Sequence, residues 1–306
     1  MTGTSGATEL GCDEASFIAR ATAGGDGGLP VGPGDDAAVL ADGTVVALDT
    51  VVEGVHFAPD TPVAQVAHKA LGACLSDVCA MGAVAETVLV AAQLPPGRDA
   101  LALADALAEG ARHFGVVLAG GDTVRAPEGA LALSVTATGR CATGRAPWLR
   151  SGGRVGDRLV VTGPLGGSFA SGRHLRVRPR ADVVAALRAA EAGGEAAADA
   201  AVHAALDLSD GLARDLPRLT TASGVGAVVD AAAVPIHEDV PADVDRLTAA
   251  LGDGEDFELL LALGPDAPVP AGATVIGRLV EAAQGLRLQR DGEPGPWPEG
   301  GHEHVF

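Results

Sequence analysis

Five short acidic motifs run through the chain, and each sets an aspartate beside glycine, serine or threonine. They are Gly34-Asp35-Asp36, Leu48-Asp49-Thr50, Leu75-Ser76-Asp77, Gly120-Gly121-Asp122-Thr123 and Asp207-Leu208-Ser209-Asp210-Gly211. One such motif is usually a turn or a helix cap, because Asp bonds nearby backbone N–H groups. Mg²⁺, however, prefers oxygen ligands and is commonly held by one or two carboxylates together with substrate phosphates. Five motifs therefore predict a fold that gathers aspartates around hard cations, in an enzyme that handles phosphate.

The overall charge excludes some classes of partner. The formal net charge is −19, whereas nucleic acids and anionic membranes attract proteins with clustered Lys and Arg. The chain has a single lysine, Lys69, which argues against a P-loop. An acidic protein needs bridging metal to bind an anionic substrate, so the charge agrees with the aspartate motifs. With 306 residues, 47% of them hydrophobic, the chain is long enough for two domains.

The cysteines indicate a reducing compartment. Cys12, Cys74, Cys79 and Cys141 form no CxxC pair and have no spacing typical of disulfides. The polar start of the chain lacks the charged and apolar regions of a signal peptide, and no apolar run reaches membrane-spanning length. We therefore expect a reduced, cytoplasmic protein without a membrane partner.

Hydrophobic spacing predicts alternating strands and helices. Strands are expected over 45–49, 86–93, 116–118, 130–139, 157–162, 226–230, 257–263 and 273–279, and helices over 63–78, 99–113, 181–192 and 210–223. Residues 143–156, rich in Gly and Arg, are typical of a connection. The pattern predicts an α/β or α+β protein with two domains, over residues 1–150 and 151–306.

Some features have both a structural and a functional interpretation. The turn Gly163-Pro164-Leu165-Gly166-Gly167-Ser168 follows a predicted strand and could hold phosphate on its N–H groups, but so loose a motif more often serves packing. An arginine cluster favours a solvated or carboxylate-pairing surface over an anion site, and it comprises Arg173, Arg176, Arg178 and Arg180. The residues Asp207, Ser209 and Asp210 precede a predicted helix and could simply cap it.

Taken in order, the motifs resemble one enzyme family. Besides the aspartate motifs, the resemblance includes the segment 49–57, Ala80-Met81-Gly82-Ala83 and Gly254-Glu255-Asp256-Phe257-Glu258-Leu259. The chain is similar, from about residue 17 to its end, to thiamine-monophosphate kinases of the aminoimidazole-ribonucleotide-synthetase-like superfamily. The resemblance implies a two-domain fold in which the N-terminal sheets of two subunits pair into a dimeric barrel. It also implies a C-terminal α/β domain, with ATP between the domains.

The same resemblance implies an activity and roles for individual residues. The activity is ATP-dependent phosphorylation of thiamine monophosphate by Mg²⁺-assisted in-line transfer, in a homodimer. Several Mg²⁺ ions would be held by Asp36, Asp49, Asp77, Asp122, Asp207 and Asp210, of which Asp49, Asp77, Asp122 and Asp207 would be catalytic. ATP would contact Gly121, Asp122, Arg150 and Ser209. Thiamine monophosphate would contact His56, Glu255 and Trp297.

Departures from the family pattern leave alternatives open. Ala47-Leu48 stands where relatives commonly have Ser-Thr, and the segment 163–180 is shorter than in many of them. Other ATP-using members of the superfamily are distinguished by local residues: Cys12 lacks the nearby Lys of selenophosphate synthetase, and the chain ends at Val305-Phe306 rather than in the reactive Cys of the hydrogenase-maturation enzyme. The ring-closing purine synthetase has Gly-Val-Gly-Thr-Lys where this chain has residues 53–57. A nucleotide-binding regulatory homologue without turnover remains the alternative that is not an enzyme.

Overall fold

The computed structural model describes residues 14–25, 27–127, 129–192 and 201–302. Within these residues the chain forms two sheets, one of five strands built from residues before position 150 and one of seven strands built from residues after it. The α/β class predicted from sequence is thereby confirmed. The exact domain boundary at position 150 stays a prediction.

The first half surrounds a sheet with the order β1-β2-β5-β3-β4. Its elements are α1 (Glu14–Ala21), β1 (Ala38–Val39), β2 (Val45–Val52), α2 (Val63–Ala80), β3 (Val84–Leu94), α3 (Ala100–Phe114), β4 (Val117–Arg125) and β5 (Ala132–Arg140). Strands β3 and β4 are parallel and joined through α3, whereas the other neighbours are antiparallel. Alternate residues of β2, such as Val45, Ala47 and Val51, point into the core beneath α2 and α3.

The second half surrounds a sheet with the order β12-β11-β8-β10-β6-β9-β7. Its elements are β6 (Arg158–Val161), α4 (Ser168–Ser171), α5 (Ala181–Ala192), β7 (Val202–Leu208), α6 (Leu212–Ser223), β8 (Gly226–Asp230), α7 (Arg246–Gly252), β9 (Glu258–Leu263), β10 (Thr274–Val280), β11 (Leu286–Arg290) and β12 (Glu293–Pro296). Strand β9 is a continuous apolar run because helices cover both faces of the sheet. Leu260 faces one core, and Leu259 and Leu261 face another.

Helix α2 is buried on nearly all sides and connects the two halves. One face carries Val66, Ala70 and Cys74 into the first core, while Cys79 and Ala80 pack into a core of the second half. Thirteen of its eighteen residues are buried, as is typical of a helix between two layers. The position of α2 therefore fixes the two halves relative to each other.

A clamp beside the end of α2 strengthens this junction. Arg188 of α5 donates a hydrogen bond to the carbonyl of Gly82 at 3.0 Å and lies over the ring of Trp148 at 4.5 Å. Gly82 has a φ of +63°, and a Cβ at this position would lie 2.5 Å from atoms of Arg188 and Trp148. Glycine is therefore required both by the turn and by the close approach of the clamp.

None of the helices in the described ranges is long and apolar enough to cross a membrane. Cys74, Cys79 and Cys141 are free thiols, and Cys12 lies outside the described residues. Burial raises the pKa of the Cys79 thiol to about 12, as expected for an unreactive cysteine in an apolar environment. The cytoplasmic location stays a prediction.

Trp297 packs against helix α6 and gives a first prediction. Its indole N–H donates to the carbonyl of Ala213 at 2.8 Å, and its ring contacts the second-half core. We expect Trp297→Ala to lower the free energy of unfolding by about 2 kcal/mol, and Trp297→Phe, which keeps a ring but loses the hydrogen bond, by about 1 kcal/mol. Urea denaturation measures both values. Wild-type stability in Trp297→Ala would contradict this packing role.

Candidate active site

A cleft of about 530 Å³ lies between the two halves of the chain. Most of the residues predicted from the sequence line it, namely Asp36, Asp49, His56, Asp77, Arg150, Asp207, Ser209, Asp210 and Glu255. Helix α2 and strand β7 pack side by side and deliver the central carboxylates. Motifs that are far apart in the sequence thus meet in one site, although their individual roles stay predictions.

Three aspartates form the centre of the cleft. Asp36 follows a glycine turn, Asp77 lies in the last turn of α2, and Asp207 lies near the end of β7. Carboxylate oxygens of all three lie within 4.8 Å of one another. Burial raises the pKa of each carboxyl group, and the neighbouring carboxylates raise those of Asp77 and Asp207 well above the usual 3.8.

The donor set of this cluster fits a hard divalent cation. Oδ2 of Asp36 and Oδ2 of Asp207 are buried and receive no hydrogen bond from the described residues. Arg150 forms an ion pair with Asp36 at 2.7 Å and supplies only one positive charge beside three carboxylates. A Mg²⁺ ion would satisfy the unpaired oxygens and remove the repulsion, since it prefers oxygen ligands.

Arg150 is tied to the same loop through its backbone as well. Its N–H donates to the Asp35 carboxylate at 3.1 Å, and its guanidinium reaches Asp36. Burial and the charge of Asp36 raise the pKa of Asp35 to about 6. The guanidinium is therefore committed to a carboxylate in this structure, and its predicted contact with nucleotide stays a prediction.

The start of helix α6 forms a second acidic region of the cleft. Asp210 pairs with Arg218 at 2.7 Å, and Arg218 also pairs with Asp215 at 2.7 Å. Burial raises the pKa of Asp215 to about 7. The Asp215 carboxylate, in the first turn of α6, accepts the N–H of Asp210 at 3.1 Å and so ties the segment before the helix to the helix. Asp210 itself lines the cleft beside Ser209.

A polar pair and two aromatic rings line another part of the cleft. Glu255 is ion-paired with Lys69 of α2, and Phe257 and Phe169 flank the ammonium group, with ring centroids 5.5 and 6.0 Å from its Nζ atom. Glu255 and Phe257 have φ values of +57° and +52°. Such backbone conformations are uncommon for residues other than glycine and concentrate at functional sites.

Two β2 positions and the following loop complete this part. His56 accepts the N–H of Val52 through Nδ1 at 3.0 Å, so a neutral ring carries its proton on Nε2. Asp49 lines the cleft, and burial raises the pKa of its carboxyl group. Leu48, where relatives commonly have Thr, is 67% exposed and also lines the cleft. The cleft thus has an apolar side chain at the position where the family resemblance implies a hydroxyl.

Three of the predicted residues do not line the cleft. Gly121 and Asp122 lie on the exposed edge strand β4. A Cβ at Gly121 would lie 1.8 Å from the carbonyl oxygen of Val90, so pairing with β3 already requires glycine there. Trp297 is packed against α6, as described above. Two phenylalanines line the cleft instead, Phe169, which is 49% exposed, and Phe257, which is 5% exposed.

The sequence reasoning did not select Lys69, Phe169 or His302, although all three line the cleft. Lys69 lies eight residues before Asp77 on α2, and that helical spacing could have placed both on the same side. Phe169 belongs to the shortened segment, where no motif marked it. His302 follows Gly300-Gly301 near the end of the chain. The spacing of this segment does not match the family pattern clearly, so no motif pointed to it.

The structural interpretations of the glycine turn and the arginine cluster are confirmed. The N–H of Gly166 donates to Asp256 at 3.0 Å and that of Gly167 to Asp253 at 2.9 Å, so carboxylates of the protein occupy them. Arg173 pairs with Asp239 and Asp256, Arg178 with Asp182, and Arg180 with Asp182 and Glu258. Two N–H groups of the turn and three of the four arginines thus have carboxylates of the protein as partners.

Comparison with known proteins identifies the family. The N-terminal domain of AIR synthase related proteins matches residues 34–141, and the C-terminal domain of the same proteins matches residues 154–264. The thiamine-monophosphate kinase of Escherichia coli strain K12 is 33% identical over 339 aligned positions, covering 96% of this chain and 99% of the relative. That of Mycobacterium tuberculosis is 38% identical, covering 86% and 82%.

Solved structures agree at the level of the fold. A structure described as AaThiL complexed with AMPPCP and TMP has a TM-score of 0.80 at 24% identity, covering 95% of this chain and 97% of the other. The thiamine-monophosphate kinase of Stenotrophomonas maltophilia has a TM-score of 0.67 at 30% identity, covering 93% and 99%. Since both domains match and a third of the sequence is identical to a relative along nearly its full length, this chain belongs to the thiamine-monophosphate kinase family.

Proposed function

We propose that the protein transfers the γ-phosphoryl group of ATP to thiamine monophosphate and forms thiamine diphosphate. The cluster of Asp36, Asp77 and Asp207 carries this proposal, because it lies in a cleft that also contains Glu255 and His56. The relatives are named for this reaction, and a structural neighbour was solved with AMPPCP and TMP. The predicted roles of the individual residues belong to the same proposal.

The reaction needs positioning and neutralisation of charge more than it needs a general base. An oxygen of the acceptor phosphate attacks the γ-phosphorus, one P–O bond forms, and the bond to the β-phosphate oxygen breaks to leave ADP. The acceptor phosphate is already largely ionised near neutral pH. Mg²⁺, when bound, would supply positive charge between the two anions. Asp36, Asp49, Asp77 and Asp207 are the cleft carboxylates suited to hold it.

The other part of the cleft fits the organic part of the acceptor. Thiamine carries a cationic ring and an amino group, which a carboxylate recognises, and aromatic side chains can stack against its rings. Glu255 supplies the carboxylate, and Phe169 supplies an exposed ring. This assignment gives Phe169 the role that the sequence analysis expected for Trp297.

A homodimer is part of the proposal. Strand β4 is an exposed sheet edge, and the adjacent strands β3 and β4 carry exposed apolar side chains at Leu89, Val117 and Val124. Open edges and apolar faces of this kind are covered by symmetric pairing in many proteins. Asp122 lies on the same strand, so dimerisation would bring it to the interface between the subunits.

The first test of the activity is ADP release with and without thiamine monophosphate. We expect release to require both the acceptor and Mg²⁺ and to stop in chelator. Asp77→Asn should lower turnover by at least about 100-fold, because charge stabilisation carries catalysis. The control Asp105→Asn changes an exposed aspartate of α3 and should keep turnover. The proposal would be overturned by ADP release at the same rate with and without thiamine monophosphate, or by normal turnover in Asp77→Asn.

Repulsion in the aspartate cluster predicts a dependence of stability on pH. The folded-state pKa of Asp77 lies well above the usual 3.8. The protonated carboxyl group therefore favours the folded state below pH 3.8, and this stabilisation is lost as the pH rises through the folded-state pKa. In chelator, we expect the wild type to become less stable relative to Asp77→Asn as the pH rises from the usual carboxyl pKa of 3.8 towards alkaline values. Mg²⁺ should cancel the difference. Thermal unfolding measures it, and an unchanged difference across this range would contradict mutual repulsion.

Light scattering tests the dimer. We expect the wild type to be a dimer at micromolar concentration and Val117→Asp to be a monomer with unchanged circular dichroism, because a buried unpaired charge is costly. Val275→Asp is the matched control, since Val275 is an exposed valine of β10 in the other sheet, and it should stay dimeric. A monomeric wild type would exclude the proposed pairing.

A further inference from the structure

The single lysine of the chain is buried in the wall of the cleft. The Lys69 side chain is 0% exposed and its ammonium group is ion-paired with Oε2 of Glu255. The ammonium also donates to the carbonyl of His174 at 3.4 Å, and the rings of Phe169 and Phe257 flank it. Asp49, Asp77 and Glu255 line the same cleft and have roles in the proposed reaction, whereas Lys69 has none.

A buried lysine is an unusual choice for packing alone. Desolvation of an ammonium group is costly, and apolar residues of similar volume often replace a buried ion pair without loss of stability. Burial lowers the pKa of Lys69, while the charge of Glu255 raises it. Glu255 is the main group that compensates the cost of burying this ammonium, which indicates that the pair serves the orientation and charge of Glu255.

The contacts of Glu255 show what Lys69 controls. Its backbone is fixed on both sides, since its N–H donates to the carbonyl of Ser209 at 2.7 Å and its carbonyl accepts the Ser168 hydroxyl at 2.7 Å. Its side chain has only Lys69 as a partner among the described residues, through Oε2, and keeps 15% of its surface exposed. Lys69 thus occupies one carboxylate oxygen, and Oε1 is left for a ligand.

We propose that Lys69 is a positioning residue for the acceptor, which holds the Glu255 carboxylate in one orientation and keeps it ionised for an amino group or cationic ring. The proposal rests on the proposed function and deepens it. Lys69 does not itself contact the acceptor, because its ammonium is enclosed by Glu255, His174 and the two aromatic rings. Its effect on binding passes through Glu255.

Helix α2 gives this role a geometric consequence. Lys69, Ala73 and Asp77 line the cleft at intervals of four residues along one side of the helix. Eight residues of helix span roughly 12 Å. Lys69, which orients Glu255, and Asp77 of the metal cluster are therefore fixed on one rigid helix. The helix sets the distance between the site for the organic part of the acceptor and the site for its phosphate.

The test compares binding of the two substrates in Lys69→Met, which keeps an unbranched side chain one heavy atom shorter and removes its charge. We expect the dissociation constant for thiamine monophosphate, measured by calorimetry, to rise at least about tenfold, while that for ATP changes by less than about twofold. Arg188→Met is the matched control, because Arg188 is half of a similarly buried ion pair, with Glu191, outside the cleft. It should not weaken acceptor binding selectively.

A double variant separates positioning from direct contact and from misfolding. Lys69→Met/Glu255→Gln replaces the ion pair by a neutral pair of similar size and should fold even where Lys69→Met does not. We expect it to bind thiamine monophosphate no more weakly than Glu255→Gln alone, because Lys69 acts through Glu255. Additive losses of affinity would overturn the proposal and indicate that Lys69 touches the acceptor.

The pH profile supplies a readout that a purely structural role would not change. Burial raises the pKa of Glu255 and Lys69 lowers it, with Asp49 and Asp210 as the other charged groups acting on it. In Lys69→Met, acceptor affinity relative to wild type should therefore fall as the pH is lowered, and this trend should disappear in the double variant. A relative affinity that is independent of pH would overturn the proposal.

Binding of thiamine monophosphate to the wild type distinguishes failure of the proposed function from failure of the proposed role of Lys69. If it does not bind thiamine monophosphate, the proposed function fails and the role of Lys69 fails with it. If the wild type binds and Lys69→Met binds equally well, the role of Lys69 alone is excluded. Equal weakening for ATP and acceptor in Lys69→Met would likewise exclude it, because a general distortion of the cleft affects both ligands.

Discussion

Repulsion among three closely spaced carboxylates is the constraint on which the cleft depends. Asp36, Asp77 and Asp207 come from three separate segments and are held within 4.8 Å of one another, where like charges destabilise the fold. The rest of the structure must compensate for this with packing. Helix α2, buried on nearly all sides, and strand β7 beside it provide rigid supports, and the clamp of Arg188 on Trp148 secures the junction of the two halves. In the proposed function, a bound cation relieves this repulsion.

Helix α2 explains how two kinds of recognition are coordinated. Its last turn provides Asp77 to the cluster, and two turns earlier it provides Lys69 to the pair with Glu255. In the proposed function, α2 therefore positions groups for both ends of the acceptor, and its packing into cores on opposite sides prevents it from rotating or sliding. In-line transfer tolerates little displacement of the reacting atoms, so a shared rigid support is a physical reason for placing both functions on a single helix.

The sequence predicted the elements with strong periodicity and missed those fixed by tertiary contacts. Helix α5 was predicted over the observed residues 181–192, and β8 over 226–230, because their apolar spacing is local information. Strand β7 was not predicted as such, since six of its seven residues are buried on the sheet edge beside α2 and show no alternation. The convergence of the aspartates was inferred from motif order, but the positions of Phe169 and Trp297 depend on loop geometry that no local pattern encodes.

The ion pairs of the cleft bear on the proposed need for metal ions, because they engage cationic side chains with carboxylates of the protein. Lys69 is committed to Glu255, Arg150 to Asp36, and Arg218 to Asp210 and Asp215. These side chains are paired with carboxylates of the protein. The chain as a whole is acidic, with a net charge of −19, and adds no compensating positive field. Two phosphate-bearing substrates would therefore meet an uncompensated negative surface. We propose that divalent cations from solution supply the missing charge and bind at the oxygens of Asp36 and Asp207 that receive no hydrogen bond from the described residues.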